Sequence, residues 1–591
     1  MPKQKTLFKK ILIWRYKHIS EREFIYILSV FVGFLAGMGT LILKNLTFFF
    51  QDILEGKFIR DFHHSLYFIF PIIGLFLVYS TKKYLIKKEI GHGISTTLHA
   101  ISKRNGIIEK YKIYASLITA PITVGFGGSV GLQGPAVSTG AALGSRVAQL
   151  FHMNTKTRML LIGCATAGAM SSMFKAPVAA IIFAVEIFSL DLAFASLVPL
   201  LLASVSAVIT SYFFLGKDVL FGFKLQDSFE INDLLFYVLL GIGTGIASVY
   251  FSKIYFRITV FFDQFNNPFK KLIFGGIAIG VLLYLIPPLY GEGYGLINNL
   301  LNGDAVAALE DIPYNIDFTN VWMVILSLFL ITLFKAIAMT TTFAAGGVGG
   351  IFIPTLVMGS ALGNVFAKII NQFGFNVSET NFTLIGMTGL MAGVLHAPLT
   401  AIFLIAEITG GYELFVPLML VAAISFAFTK YFISNSIYTL ELAKRGELIT
   451  HNKDKNVLMM MRVDTLIETN FNEIYLKMSF GEMLKKSVAN SKRNIFPVLD
   501  KDKTFLGIVL LDDIRPMMFD QTQYETTSVI DFMKAAPEII FYTDSVEIVM
   551  RKFKESGAWN LPVVNNGTYI GFISKSKLLT AYRNKLIEVT T

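Results

Sequence analysis

The residues best placed to do chemistry in this chain are small ones. Gly125 to Gly144 reads GFGGSVGLQGPAVSTGAALG, inside an uncharged run from Ile113 to Ser145 that is apolar enough to lie in a bilayer. Its glycines and Pro135 would break one continuous helix. Irregular backbone persists at membrane depth only where protein buries it or it lines a cavity. Glycines leading into an apolar run with a proline just inside it describe a loop entering a helix N-terminus, where free amides and the helix dipole favour an anion. Close helix packing through small residues would also use glycines, but in no particular order.

The pattern occurs twice. From Gly346 the chain reads GGVGGIFIPTLVMGSALG, inside a second uncharged run from Ala336 to Ala367. At an offset of 219, Gly127, Gly128, Gly131, Pro135, Gly140, Ala142, Leu143 and Gly144 fall on Gly346, Gly347, Gly350, Pro354, Gly359, Ala361, Leu362 and Gly363. Further on, FKAPVAAIIFAVEIF from Phe174 meets LHAPLTAIFLIAEIT from Leu395 at an offset of 221, which pairs Glu186 with Glu407. Order, spacing and half-chain separation together argue for an internal duplication with paired broken helices, the usual device for holding ions at the membrane midplane.

Other chemistries lack their residues. The single cysteine, Cys164, excludes an intrachain disulfide and a Cys-rich metal site, and the eight histidines show no HExxH or other metal-ligand spacing. There is no Walker-type glycine loop followed by Lys-Ser/Thr, and no sequence pattern of a nucleophile with its base. The expectation is a protein that is not an enzyme, holds no metal and needs no cofactor.

The elements that must position the two loops are membrane helices. Of 591 residues, 54% are hydrophobic and only 16% charged. Uncharged runs include Phe24 to Leu43, Ser65 to Thr81, Leu192 to Gly216, Leu234 to Ser252, Leu272 to Tyr290 and Phe318 to Phe334. Some reach the roughly 20 residues a spanning helix needs and others fall short, so more helices than full crossings are expected. Residues 1–22 are basic with scattered apolar positions, which predicts a cytoplasmic surface helix; Arg15, Lys17 and Arg22 interrupt any signal-peptide core. The net charge of +11 then reflects topology and gives no reason to invoke nucleic acid. The expected layout is a membrane domain over 23–445, with repeats at about 65–215 and 270–440, then two soluble units at 460–520 and 523–585. Each soluble unit reads as strand, polar turn, strand and helix: Phe496 to Leu499 with Phe505 to Leu510, and Leu561 to Val564 with Tyr569 to Ser574.

These motifs resemble the CLC family of chloride channels and proton-coupled chloride transporters. GGSVGLQGP looks like the family's G-K/R-E-G-P loop, GGIFIP its GxFxP motif, and GHGIS stands where the family has GSGIP. Tyr438 in SNSIYTLEL falls at the family's pore tyrosine. The resemblance implies an α-helical membrane protein, an inverted two-repeat bundle of tilted and broken helices, forming a homodimer with one anion pathway per subunit. It assigns the anion to His92 and Gly93, to the loop of Leu132, Gln133 and Gly134, to the amides of Ile351 and Phe352, and to the Tyr438 hydroxyl.

Three departures bear on mechanism. The family's gating glutamate is here Gln133, which can fill space and hydrogen-bond but cannot titrate. The inner proton-relay glutamate of transporting members is Ile187, beside the retained Glu186. His92 replaces the usual serine, and Ser95 the usual proline. The histidine either meets the anion through a ring N–H or turns away to the backbone. Lys175 reads as a vestibule or interface charge, and Glu186 with Glu407 as structural helix-end partners.

The paired soluble units look like a CBS tandem, which the family often carries on the cytoplasmic side. CBS pairs commonly bind adenine nucleotide through an acid on the ribose and a hydroxyl near phosphate. Here the first unit keeps Asp513 but has Leu510 at the hydroxyl position, and the second keeps Ser574 but has Lys577 at the acid. Lys577 could meet phosphate instead; a structural, dimerising role is the alternative. The leading expectation for the whole is a passive chloride channel in a bacterial-type plasma membrane, voltage gating included in its scope, with both termini cytoplasmic. The alternatives are an anion/proton antiporter with His92 as carrier, and a CBS nucleotide sensor.

Overall fold

The computed structural model describes residues 15, 17–54, 63–91, 93–188, 194–216, 221, 229–310, 312, 314, 316–410, 412–444, 457–458 and 461–590. The surface helix expected over 1–22 falls largely outside them, and Glu21 and Arg22 already belong to the first long helix. The chain divides into two compact units, Met1–Arg445 and Gly446–Thr591.

The first unit is helical. Its first half runs α1 (Glu21–Leu54), α2 (His63–Ser80), α3 (Gly93–Lys103), α4 (Tyr111–Gly125), α5 (Gln133–Leu150), α6 (Thr155–Phe174), α7 (Pro177–Phe188) and α8 (Phe194–Leu215). The second runs α9 (Leu234–Asp263), α10 (Pro268–Leu285), α11 (Tyr294–Leu301), α12 (Val321–Ala344), α13 (Phe352–Gln372), α14 (Glu379–Leu395), α15 (Pro398–Ile408), α16 (Phe415–Phe432) and α17 (Ile437–Lys444). Among the described residues, eight helical stretches are long and apolar enough to cross a membrane. The helices α7 and α15 are apolar but too short to span, as the broken hydrophobic runs predict.

Local chemistry sets the helix ends. Asn154 accepts from the Thr157 amide at the start of α6, and Ser378 accepts from the Asn381 amide at the start of α14. Both helices end on a left-handed residue, Lys175 (φ 57°) and His396 (φ 55°), so the duplication extends to backbone conformation. The packing repeats as well: α1 lies against α6 and α8, and α9 against α14 and α16. The paired helices α5 with α6, and α13 with α14, meet through buried small residues that let the backbones approach.

The second unit holds two three-stranded sheets. In the first, β1 (Ile474–Tyr475) is parallel to β2 (Ile495–Leu499), which is antiparallel to β3 (Phe505–Leu510). In the second, β4 (Ile540–Phe541), β5 (Asn560–Asn565) and β6 (Thr568–Ser574) repeat that order. The two halves exchange their leading segments. Val463 and Leu466, expected with the first, pack in the core of the second with Ile540, Val549 and Phe553. Val529, expected with the second, packs in the first with Phe480 and Phe496. Glu468 forms an antiparallel bridge to Phe572, and Ile508 one to Lys534. Neither half therefore closes its core alone, and strand patterning carries no information about this exchange.

Glu468 ties the halves together by side chain too. Burial alone would raise its carboxyl, but hydrogen bonding from Ser574, the ion pair with Arg493 and the charge of Lys577 outweigh this and hold it below the ordinary carboxylate range. A depressed folded value means stability that is present above the unfolded pKa and lost as pH falls through the folded one. The Phe572 amide, bonded to Glu468 O at 2.9 Å, should accordingly exchange hydrogen more slowly than in Glu468→Gln at neutral pH. The difference should shrink as pH falls below about 4.3 and vanish further down.

In the membrane unit the two loops approach each other closely. A Cβ on Gly350 would stand 2.6 Å from the Gly134 amide nitrogen, a backbone atom that cannot swing aside. Gly350→Ala should cost about 1–3 kcal/mol by overpacking, read as a lower thermal unfolding midpoint of the solubilised protein. Gly295→Ala, whose Cβ meets open space, should leave the midpoint nearly unchanged.

Candidate functional site

The two glycine loops meet and trade hydrogen bonds. The Gly131 amide donates to Gly350 O at 2.9 Å and the Gly350 amide to Gly131 O at 2.6 Å, a single antiparallel bridge between the repeats. Two residues earlier the exchange repeats through side chains: the Ser129 amide donates to Thr342 Oγ1 (3.3 Å) and the Val348 amide to Thr123 Oγ1 (3.0 Å). Each loop enters this arrangement through a left-handed glycine, Gly127 (φ 89°) and Gly346 (φ 99°), a conformation a side chain would strain.

Beyond the bridge each loop becomes a helix: α5 opens Gln133-Gly134-Pro135 and α13 opens Phe352-Ile353-Pro354. By position, the first amides of a helix have no carbonyl within it to meet, and the prolines remove one such donor from each. What remains is two helix N-termini with free amides, brought together by the bridge. Gly93 begins α3 against them, where a Cβ would lie 2.5 Å from Gly134 O. The helix α17, carrying Tyr438, packs on α3 in turn. Phe352 is buried against Phe174 and Phe183, with ring centroids 5.4 and 6.0 Å away. The structure thus gathers Gly93, Leu132, Gln133, Gly134, Ile351, Phe352 and Tyr438 on neighbouring elements. His92 lies outside the described residues.

Two buried polar atoms here lack a hydrogen-bond partner among the described residues: the Gln133 Oε1 and the Tyr438 hydroxyl. Leaving such groups dry costs about 1–3 kcal/mol each unless a ligand or water meets them. Unpaired amides and a hydroxyl suit a small anion, held by dipoles and not by a full counter-charge.

The third strand of the site comes from a loop that motif reading passed over. Tyr290 donates to Gly125 O at 2.9 Å and Ser129 to Leu289 O at 2.7 Å, which lays residues 289–292 along the first glycine loop. Lys335, fully buried in α12, donates to Leu289 O (3.1 Å) and Gly291 O (3.0 Å). The loop so held presents Glu292, whose Oε1 accepts the Leu132 amide at 2.9 Å. Next to it, Gln133 Nε2 donates to the Tyr294 hydroxyl at 3.0 Å. Two more lysines end on carbonyls: buried Lys44 on Met173 O (2.8 Å) and half-buried Lys82 on Gly346 O (2.6 Å). The available signal was charge inside an apolar run, since Glu292 follows the uncharged stretch ending at Tyr290 and Lys335 splits two others.

The other predicted positions are accounted for. Ile187 is buried near the end of α7. Glu186 beside it accepts the Leu399 and Thr400 amides (3.2 and 2.8 Å) at the start of α15, while Glu407 accepts the Val178 and Ala179 amides (3.0 and 2.8 Å) at the start of α7. The two carboxylates cap each other's helices, a stabilising use of negative charge. Lys175 donates to Gly216 O at 2.9 Å.

In the soluble unit Ser574 and Lys577 line a cavity of about 560 Å³ together with Glu468, Arg493 and Trp559. Asp513 does not line it and is paired with Lys534 at 2.8 Å. Asp513 thus stands apart from the cavity that holds Ser574 and Lys577.

Residues 73–430 match the family described as voltage gated chloride channel, and residues 529–584 match the CBS domain. A putative chloride channel protein, ClcB-like, of Ralstonia nicotianae is 26% identical over 384 residues, covering 64% of this chain and 85% of that protein. An H(+)/Cl(-) exchange transporter, ClcA, of Vibrio campbellii is 31% identical over 313 residues, covering 50% of this chain and 62% of the relative. Of solved structures, a eukaryotic CLC transporter matches with a TM-score of 0.59 at 15% identity, covering 94% of this chain and 97% of its own. A slow cyanobacterial Cl-/H+ antiporter matches with a TM-score of 0.59 at 20% identity, covering 72% and 98%. At such identities the structural likeness speaks for the fold alone. The sequence match extends over more than half of the chain and includes both glycine loops, and the protein is accordingly a member of the voltage gated chloride channel (CLC) family, an anion-transporting membrane protein with a CBS region behind its helical domain.

Proposed function

We propose that the protein conducts small anions, chloride foremost, passively across the membrane. The observation that carries this reading is the pair of side chains at the two proton positions. Gln133 is fully buried at the amide site and cannot titrate, and Ile187 is apolar. The anion binds among the first amides of α5 and α13, with Gly93 and the Tyr438 hydroxyl completing its surroundings. Dipoles without a fixed counter-charge hold it weakly enough to leave, which is what conduction requires. The protein acts as a homodimer with both termini on the cytoplasmic side, as the basic N-terminal residues support.

The exchange activity named for the Vibrio relative favours a second reading, anion/proton antiport through a carrier other than residue 133, with His92 a candidate. A third reading, a nucleotide-regulated or mainly sensory protein, draws on the cavity at Ser574 and Lys577.

Purified protein in chloride-loaded liposomes, followed by chloride and pH electrodes in one vessel, separates these. Efflux that needs valinomycin-carried potassium and moves no protons is expected. Proton uptake in fixed ratio to chloride would overturn passive conduction. Adenine nucleotide should bind the full chain more weakly in Lys577→Ala if the soluble cavity is its site, by roughly tenfold for the loss of a charge-assisted contact of about 1.4 kcal/mol.

A further inference from the structure

Glu292 has no counterpart in the duplication. At the offset that matches the two glycine loops its partner would be Ile73, and the second loop receives no carboxylate from this route. Its placement is therefore specific to the first amide cluster. The carboxylate accepts the 2.9 Å bond from Leu132, whose amide stands immediately before the helix N-terminus of α5. A carboxylate on a backbone amide at a helix N-terminus occupies the position an incoming anion would use.

The surroundings are built to hold that charge and also to let it go. The groups that face it are Lys335 from α12, Lys44 from α1, Gln133 from α5 and Tyr294 from α11. Neither lysine is spent on it by direct contact: Lys335 is bonded to the carbonyls of Leu289 and Gly291, and Lys44 to that of Met173. They supply field without a salt bridge. The Tyr294 phenol is pushed well above its ordinary range by burial and by Glu292, so it stays a neutral partner to Gln133. Glu292 itself lies in the loop between two spanning helices, Pro268–Leu285 and Val321–Ala344, with part of its surface open. Close burial pushes its carboxyl up to about 7, against the Leu132 amide and the charge of Lys44, which pull it down.

We propose that Glu292 is the titratable gate of this anion site, the role that residue 133 cannot fill: ionised, its carboxylate holds the Leu132 amide and repels an entering anion, and protonation from the aqueous side removes that charge and weakens the hold on the amide, so that an anion can displace it. The inference rests on the anion site proposed above. It requires only that a proton bind and leave the carboxyl, so conduction stays passive and becomes acid-activated. The sign follows directly. Above the carboxyl's titration range the site is occupied by protein, and below it the site is open to chloride.

The test is chloride efflux from liposomes with the pH equal on both sides, stepped from 8 to 6, with valinomycin and a pH electrode present. Wild type should speed up by about tenfold, the ratio in which a group titrating near 7 is protonated at the two values. Glu292→Gln keeps the acceptor oxygen but removes the titration, and should give a rate that no longer depends on pH. Glu292→Ala, which also vacates the amide, should be equally flat. A slope that survives in both Glu292 variants, or a wild-type rate that is flat, overturns the gate and leaves passive conduction standing. Proton movement in fixed ratio to chloride overturns passive conduction and leaves the slope to judge Glu292. No flux at any pH from protein that elutes as folded removes both.

Discussion

Everything in the membrane unit depends on a handful of crossed hydrogen bonds between two loops. At membrane depth an open amide cannot be left to lipid. The Gly131–Gly350 bridge, with Thr123 and Thr342 serving each other's loops, satisfies the irregular backbone just before it becomes helical. The same bonds fix two helix N-termini against one another, so the amides that remain free converge. Farther from this centre the carboxylates of Glu186 and Glu407 repeat the logic, each capping the helix of the other repeat. A duplicated chain is thus locked by reciprocal contacts, and the unsatisfied donors collect where the lock closes.

Onto this two-fold frame the chain adds an asymmetric element. Lys335 holds the loop at Leu289 and Gly291, and that loop carries Glu292 to the Leu132 amide. Buried charge in a membrane domain is expensive, by several kcal/mol per group without compensation. Here each lysine finds carbonyls and the carboxylate finds an amide. The cost is met by backbone dipoles, and no group is neutralised outright by an ion pair. The arrangement also separates two functions that one side chain could have combined. Gln133 fills space beside Tyr294, while the titratable group arrives from the other repeat.

The soluble unit shows the same preference for exchange. Its two sheets are each complete in strand order, yet the apolar residues that close each core come from the segment preceding the other. Glu468 sits where this exchange is sealed, bridging to Phe572 by backbone and to Ser574 and Arg493 by side chain. Its carboxyl is also part of the cavity wall, so whatever enters the cavity meets the residue that joins the halves.

The sequence by itself determined the membrane class, the duplication, the two loops and their amide chemistry, because glycine and proline restrict the backbone locally and hydrophobic runs need only length. It also determined the strands β2, β3, β5 and β6, whose apolar runs and polar turns are short-range signals; β1 and β4, two residues each, carry too little pattern to read. Reading Gln133 and Ile187 as non-titratable needed only residue identity. Tertiary structure decided which groups face one another. That Glu292 reaches Leu132 depends on a loop positioned by a lysine 43 residues downstream, and nothing in local spacing encodes that distance. The separation of Asp513 from Ser574 and Lys577 was decided the same way. Backbone conformation is written in neighbours along the chain, whereas the pairing of buried charges is set by packing between elements far apart in it.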